Sequence, residues 1–308
     1  MKNLLISIFC LISVFANAQN EAAATHYLLN PTSINPGYTG FSDKYQLFLN
    51  ARWAWQGFAD APKNYLLSFN APIGNTLGLG ILLGQENIAQ LSQTRGQLSY
   101  AFRYQVKELK MAIGLSTEFR QFRIKSQANN PIFDLSDEKY KDYLQGSNIF
   151  DAGVGFAGNY KDQLFFGFSA PNLISARLGN VYVKSGEKSS FLNSGLATLG
   201  YKFKFSEFNL QPSVMIGKSR TVPFIADINL RSSFANDAAM VGVTYHAGLW
   251  KAVSIMLGTK LNGLLLGYTY DYSFQGFQNY NGGSHEITIG FEFDKKPSKN
   301  TYMKKYRN

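Results

Sequence analysis

This 308-residue sequence has one cysteine and three histidines, so sulfur and imidazole chemistry have little to work with. Cys10 falls inside an N-terminal apolar stretch, and nothing after it can form a disulfide or a cysteine metal site. His26, His246 and His285 have no second histidine at ligand spacing, which argues against the usual zinc patterns, and no metal or other cofactor is expected. There is no Gly-x-x-x-x-Gly-Lys-Ser/Thr loop for phosphates. Past the first stretch, no run approaches the roughly 18 apolar residues that a membrane-crossing helix needs. Acid is scarcer than base, 20 Asp and Glu against 30 Lys and Arg, for a formal net charge of +10.

Aromatics and glycine are abundant instead: 25 Phe, 18 Tyr and 28 Gly, a load that suits β-structure and disfavours helices. The chain opens with Lys2, an apolar run from Leu4 to Phe15, then Ala16-Asn17-Ala18, which reads as a signal peptide cleaved after Ala18. An exported basic protein meets no nucleic acid; its acidic partners include the phosphates of outer-membrane lipids and lipopolysaccharide.

From Lys44 onward the sequence alternates. In Gly96–Val106, Leu98, Tyr100, Phe102 and Tyr104 alternate with Gln97, Ser99, Ala101 and Arg103, and similar runs recur to the end. About fourteen such strands are expected, at 44–55, 63–71, 76–86, 93–106, 110–123, 148–160, 163–170, 189–204, 207–217, 223–233, 238–247, 250–260, 263–273 and 284–293. One face is greasy on each, the even count suits a single-chain barrel, and the long connections at 124–147, 171–188 and 274–283 all fall at one end. A soluble β-sandwich shares the alternation but has no reason to sort its loops. The expected fold is therefore all-β, a transmembrane antiparallel barrel, with residues 1–18 as signal, 19–42 as a periplasmic or lumenal lead-in, 43–293 as barrel and 294–308 as a basic periplasmic tail.

A cation facing lipid at the midplane costs about 2–4 kcal/mol. Arg95, Arg103, Arg120, Lys202 and Arg231 all fall on the polar parity, so they are assigned to the lumen with Glu118, Asp227 and Asp271. Ser284, His285 and His246 are the residues a hydrolase could use, but a nucleophile needs a base held by a third group, and no catalytic residue is assigned. Trp53, Trp55 and Trp250 read as interfacial aromatics, and Gly78, Gly80 and Gly84 as sites of curvature and close packing.

The lead-in carries two Asn-Pro pairs, Asn30-Pro31 and Asn35-Pro36, followed by Gly37, Tyr38 and Gly40, and no helix is expected across it. Left free, Tyr27, Leu28, Leu29, Ile34 and Tyr38 would expose apolar surface at about 25 cal/mol per Å². The segment is expected to pack in the lumen as a plug, with inward-facing Arg52 as a contact.

Asn30-Pro31, Ile34-Asn35-Pro36-Gly37-Tyr38-Thr39-Gly40, Arg52, Trp55, Gly57 and Ala61-Pro62 resemble the opening motifs of the PorP/SprF family. These are outer-membrane proteins of type IX secretion and gliding motility. Gly37 and Thr39 stand where that pattern has alanine, and Ala54 where it has glutamine. The resemblance implies a non-enzymatic barrel that assists export or surface attachment of a secreted protein or adhesin, with type IX components as partners. A passive porin or hydrophobic-solute channel is the alternative, and a barrel enzyme the third.

Overall fold

Side chains two apart share a face of a strand, so a run alternating apolar with polar residues can bury one face only where the two faces meet different media. The computed structural model describes residues 25–124, 147–174, 176–178, 194–218, 224–248 and 251–294. The expected signal peptide, the tail beyond Asp294, Trp250, nearly all of the 124–147 loop and residues 189–193 lie outside them.

The strands are β1 Lys44–Trp53, β2 Lys63–Ile73, β3 Leu77–Ile88, β4 Leu91–Val106, β5 Leu109–Ile124, β6 Ser147–Tyr160, β7 Leu164–Ala170, β8 Ala176–Leu178, β9 Gly195–Tyr201, β10 Phe203–Lys204, β11 Phe208–Lys218, β12 Ile225–Phe234, β13 Ala239–Gly248, β14 Ala252–Leu261, β15 Leu264–Ser273 and β16 Ser284–Asp294. Every pairing is antiparallel, the wall strands follow one another in chain order, and β1 pairs with β16 from Lys44 opposite Asp294 to Trp53 opposite His285, which closes the sheet. β8 is a short side ladder on the outer part of β6, and β9 with β10 makes one interrupted crossing, so the wall is a 14-strand barrel.

The interruption has a local cause. Pro212 on β11 has no N–H for its neighbour, so the ladder stops at Ser213 opposite Gly200 and resumes at Leu210 opposite Phe203. The Lys202 N–H faces the other side, where it extends the β7 ladder in register to the Gln163 carbonyl at 2.8 Å.

Short turns gather at the end where β1 begins and β16 ends; the one at Asn262-Gly263 has φ of 50° and 84°, the two-residue hairpin geometry that matches strand twist. The rule of short periplasmic turns makes this the periplasmic end. Outward residues form a continuous apolar belt, with Leu83, Tyr100, Leu115, Ile228, Val243 and Leu257 each at least half exposed. A patch of that extent marks contact with lipid. Among the described residues no helix is long and apolar enough to cross a membrane, so the crossing is made by strands.

Candidate functional site in the barrel lumen

Residues 25–42 lie inside the barrel, running toward the periplasmic end where β1 starts. The segment is built of three 3-10 turns, Thr25–Leu28, Pro31–Ser33 and Pro36–Tyr38. This corrects the expectation of no helix: each proline pair member opens a turn at the first position, where its missing N–H costs nothing. Asn35 caps the third turn, its Oδ1 accepting the Gly37 N–H at 2.8 Å while its amide donates to the Phe156 carbonyl at 2.9 Å. Asn30 makes no such cap; it donates to Ser68 Oγ at 2.7 Å and accepts from Thr32, whose hydroxyl accepts in turn from Asn70.

The lower part of the segment meets bare backbone. A Cβ on Gly78 would collide with the Thr39 carbonyl, one on Gly114 with the Pro36 carbonyl, and one on Gly155 with the Asn35 side chain. The wall glycines of β3, β5 and β6 thus form a groove that the segment occupies. Gly40 turns the chain at φ 64°, and its carbonyl accepts from Arg103 at 2.5 Å. Tyr38 and Phe41 stack edge-on at 5.6 Å above Ala112 and Ala157. Asp43, next along, pairs with Arg103 and Lys110. Burial alone would raise its carboxyl, but those two cations outweigh it and hold it below the usual carboxylate range.

The upper part meets charge. Glu286, fully buried on β16, accepts the Thr25 N–H at 2.9 Å, the His26 N–H at 3.3 Å, the Asn50 amide at 2.9 Å and Arg52 Nη1 at 3.1 Å. Arg52 also binds Asp271 at 2.5 Å, so it reaches the segment through Glu286 rather than directly. His26 lies between the hydroxyls of Thr288 and Thr269, at 2.6 and 2.7 Å. Glu286 is 3.7 Å from its ring, yet burial dominates and pushes the imidazole below its usual pKa, leaving it neutral among hydroxyls. The Tyr27 hydroxyl accepts from Asn229, Leu28 offers its carbonyl to Arg231, and Leu29 packs on Met240, Met256 and Leu265.

The remaining charges separate by height. Arg120 binds Glu118, Asp151 and Asn172 on the outer side of the segment, and Arg95 faces the same space. Asp227 holds His246 at 2.8 Å, and Arg231 also reaches Gln211. Lys202 keeps its inward parity, half-buried near the periplasmic rim, where, against the burial of the Asp237 carboxyl, it acts with Arg231 and Lys260 to hold that carboxyl below its usual range. Trp55 is a correction: β1 ends at Trp53, and Trp55, at φ 51°, packs edge-on against Phe277 of the outer 276–280 turn, 5.4 Å away. Pro62 is buried beside it, its carbonyl accepting from Ala54.

Sequence parity missed Glu286, His26 and Ser254. The signal for Glu286 was present, since it shares the parity of Thr288 and Gly290. Ser284 accepts from the Trp55 N–H, and His285 points outward to the Tyr268 hydroxyl at 2.7 Å, so these two share no chemistry. Ser254, His246 and Asp227 do stand in a nucleophile–base–acid line, at 2.7 and 2.8 Å. However, Ser254 is 1% exposed and donates to Asp271 at 2.5 Å, so its proton points away from the imidazole and its oxygen meets no open space. Among the described residues no group of acids, histidines or cysteines could hold a metal ion.

Beyond the segment lies a cavity of about 290 Å³ floored by residues 30–36 and walled by Asn50, Asn64, Gln93, Gln97, Arg95 and Arg120 among others. Amides and both signs of charge are set in a wall that is otherwise largely apolar.

Solved barrels resemble the chain in fold. The toluene transporter TbuX of Ralstonia pickettii superposes with a TM-score of 0.54 at 9% identity, covering 86% of this chain and 93% of that one. The Pseudomonas putida toluene transporter TodX gives 0.46 at 9% identity, covering 90% and 95%, and the KdgM porin 0.39 at 8%, covering 80% and 99%. No curated protein matches the sequence at a significant level. The family model described as type IX secretion system membrane protein PorP/SprF matches residues 16–291, nearly the whole barrel together with its lumenal segment, and this chain therefore belongs to the PorP/SprF family of outer-membrane barrels.

Proposed function

We propose that this barrel is a non-enzymatic, non-conducting component of type IX secretion that helps a secreted protein or adhesin reach the cell surface or stay there. Family membership supports the secretion role. The observation that carries the non-conducting part is the seating of residues 25–42: Thr25, Asn35 and Thr39 are each at most 2% exposed, although they precede the first strand. A solute channel needs a hydrated path, and here the outer cavity ends on this segment, which acts as a plug. Cleavage after Ala18 delivers the protein to the outer membrane, where its basic balance meets lipopolysaccharide phosphates. The short turns face the periplasmic partners.

Reconstitution in planar bilayers and swelling of sugar-loaded liposomes test the reading. The intact protein is expected to pass neither ions in steady steps nor sugars, and deletion of residues 20–40 to open a steady pore. Free sugar passage through the intact protein would establish the porin reading instead. In cells, loss of the gene should release the surface protein into the medium, and unchanged retention would remove the secretion role.

A further inference from the structure

Arg95 and Arg120 are direct cross-strand partners on β4 and β5, both turned to the outer cavity. Two like charges placed opposite each other on one face destabilise a sheet. Arg120 has compensation, with Glu118 at 2.8 Å and Asp151 at 2.7 Å. Arg95 has none: among the described residues, no ion pair and no hydrogen bond includes its side chain. Its neighbour on the other side is Gly84, where a Cβ would come within 2.8 Å of the Arg95 Cγ and Nε. The arginine stem therefore lies flat on the β3 backbone. Gln93 and Gln97, two positions either way along β4, line the same cavity, as do Glu118 and Glu86; Glu86 is 8% exposed and has partners of its own.

An uncompensated guanidinium next to a compensated one, set among amides on the cavity wall, is a place for a planar anion. A guanidinium fork matches a carboxylate by two parallel hydrogen bonds. We propose that Arg95, supported by Arg120, binds a carboxylate of an extended polypeptide entering from the outer face, either an acidic side chain or a chain end. The amides favour a polypeptide, since Gln93, Gln97 and Asn64 each present a donor and an acceptor to main-chain groups. This rests on the surface-retention reading for the source of the polypeptide, while the site itself stands on geometry.

The test uses the purified full-length protein in detergent and a fluorescein-labelled peptide of glycine, serine and aspartate, with a counterpart in which asparagine replaces aspartate. Anisotropy titrations should show the aspartate peptide binding about ten-fold more tightly. Arg95→Gln should erase that difference, and Arg95→Lys should keep part of it, because a point charge remains without the fork. Heat-modifiable migration on gels checks that each variant is a folded barrel. Equal binding of the two peptides, or an aspartate preference that survives Arg95→Gln, would overturn the site. Displacement of the peptide by inorganic phosphate at lower concentration than by acetate would assign the site to phosphate and overturn the polypeptide. Failure of surface retention in cells leaves these titrations untouched, so the two readings fail separately.

Discussion

The two ends of the lumenal segment are held by different physics. At Thr25–Leu29 the wall supplies carboxylate, guanidinium and hydroxyl groups from β1 and β12 to β16, and the contacts are long-range hydrogen bonds centred on Glu286. At Ile34–Gly40 the wall supplies an absence, the missing side chains of Gly78, Gly114 and Gly155, and the wall backbone is met closely by the segment's own backbone and the Asn35 side chain. The first end can be loosened by changing charge. The second yields only to bulk.

The comparison is broken most severely at Glu286. Glu286→Ala leaves Arg52, 7% exposed, with a single carboxylate and strips the acceptor from two backbone N–H groups. Removing one partner of a buried pair costs about 3–5 kcal/mol. Native-state proteolysis should then cut after Tyr27 while the chain after Tyr38 stays protected; equal cleavage at both would mean that the segment moves as one piece. Next comes Gly155→Val, which forces bulk into the Asn35 position at about 1–3 kcal/mol. Here cleavage after Tyr38 should rise first and bilayer conductance should appear, with the Thr25 end retained. Asn35→Ala is milder, about 1 kcal/mol for the lost cap, and a small drop in the denaturant midpoint is expected. The smallest effect is acid sensitivity. His26 has its folded pKa below the ordinary 6.5, so its contribution is complete above that pH and fades as pH falls below it. Glu286, Arg52 and Asp271 also face the ring. His26→Gln should flatten the dependence of Tyr27 cleavage on mild acid, whereas Gly155→Val should leave it in place.

Strand number, closure and strand faces were legible because a charge facing lipid is expensive and a period of two cannot hide it. Arg103 and Arg120 announce their side of the wall through their neighbours alone. The ladder break opposite Pro212 was not legible, because pairing partners are invisible in a local pattern. Trp55 fails for a related reason: the positive φ that turns it out of β1 leaves no mark on apolar alternation. The glycines of β3 read only as curvature and close packing, since only the folded segment reveals which carbonyl Gly78 admits. Glu286 was readable by parity, but its hub role joins residues 261 positions apart.

The segment that fills the lumen is contiguous with β1, and β1 is the strand that meets β16 to close the sheet. Its contacts on β3, β5 and β6 become available early in chain order, whereas those on β15 and β16 exist only once the last strands have arrived. A finished cylinder would have to admit a bulky, twice-turned peptide through one end. Folding is simpler in the other order, with the lead-in acting as a mandrel on which the first strands assemble and Glu286 latching it as the seam closes. The slow step of biogenesis would then be seam closure, and the N-terminal segment would govern its rate as well as the stability of what it closes around.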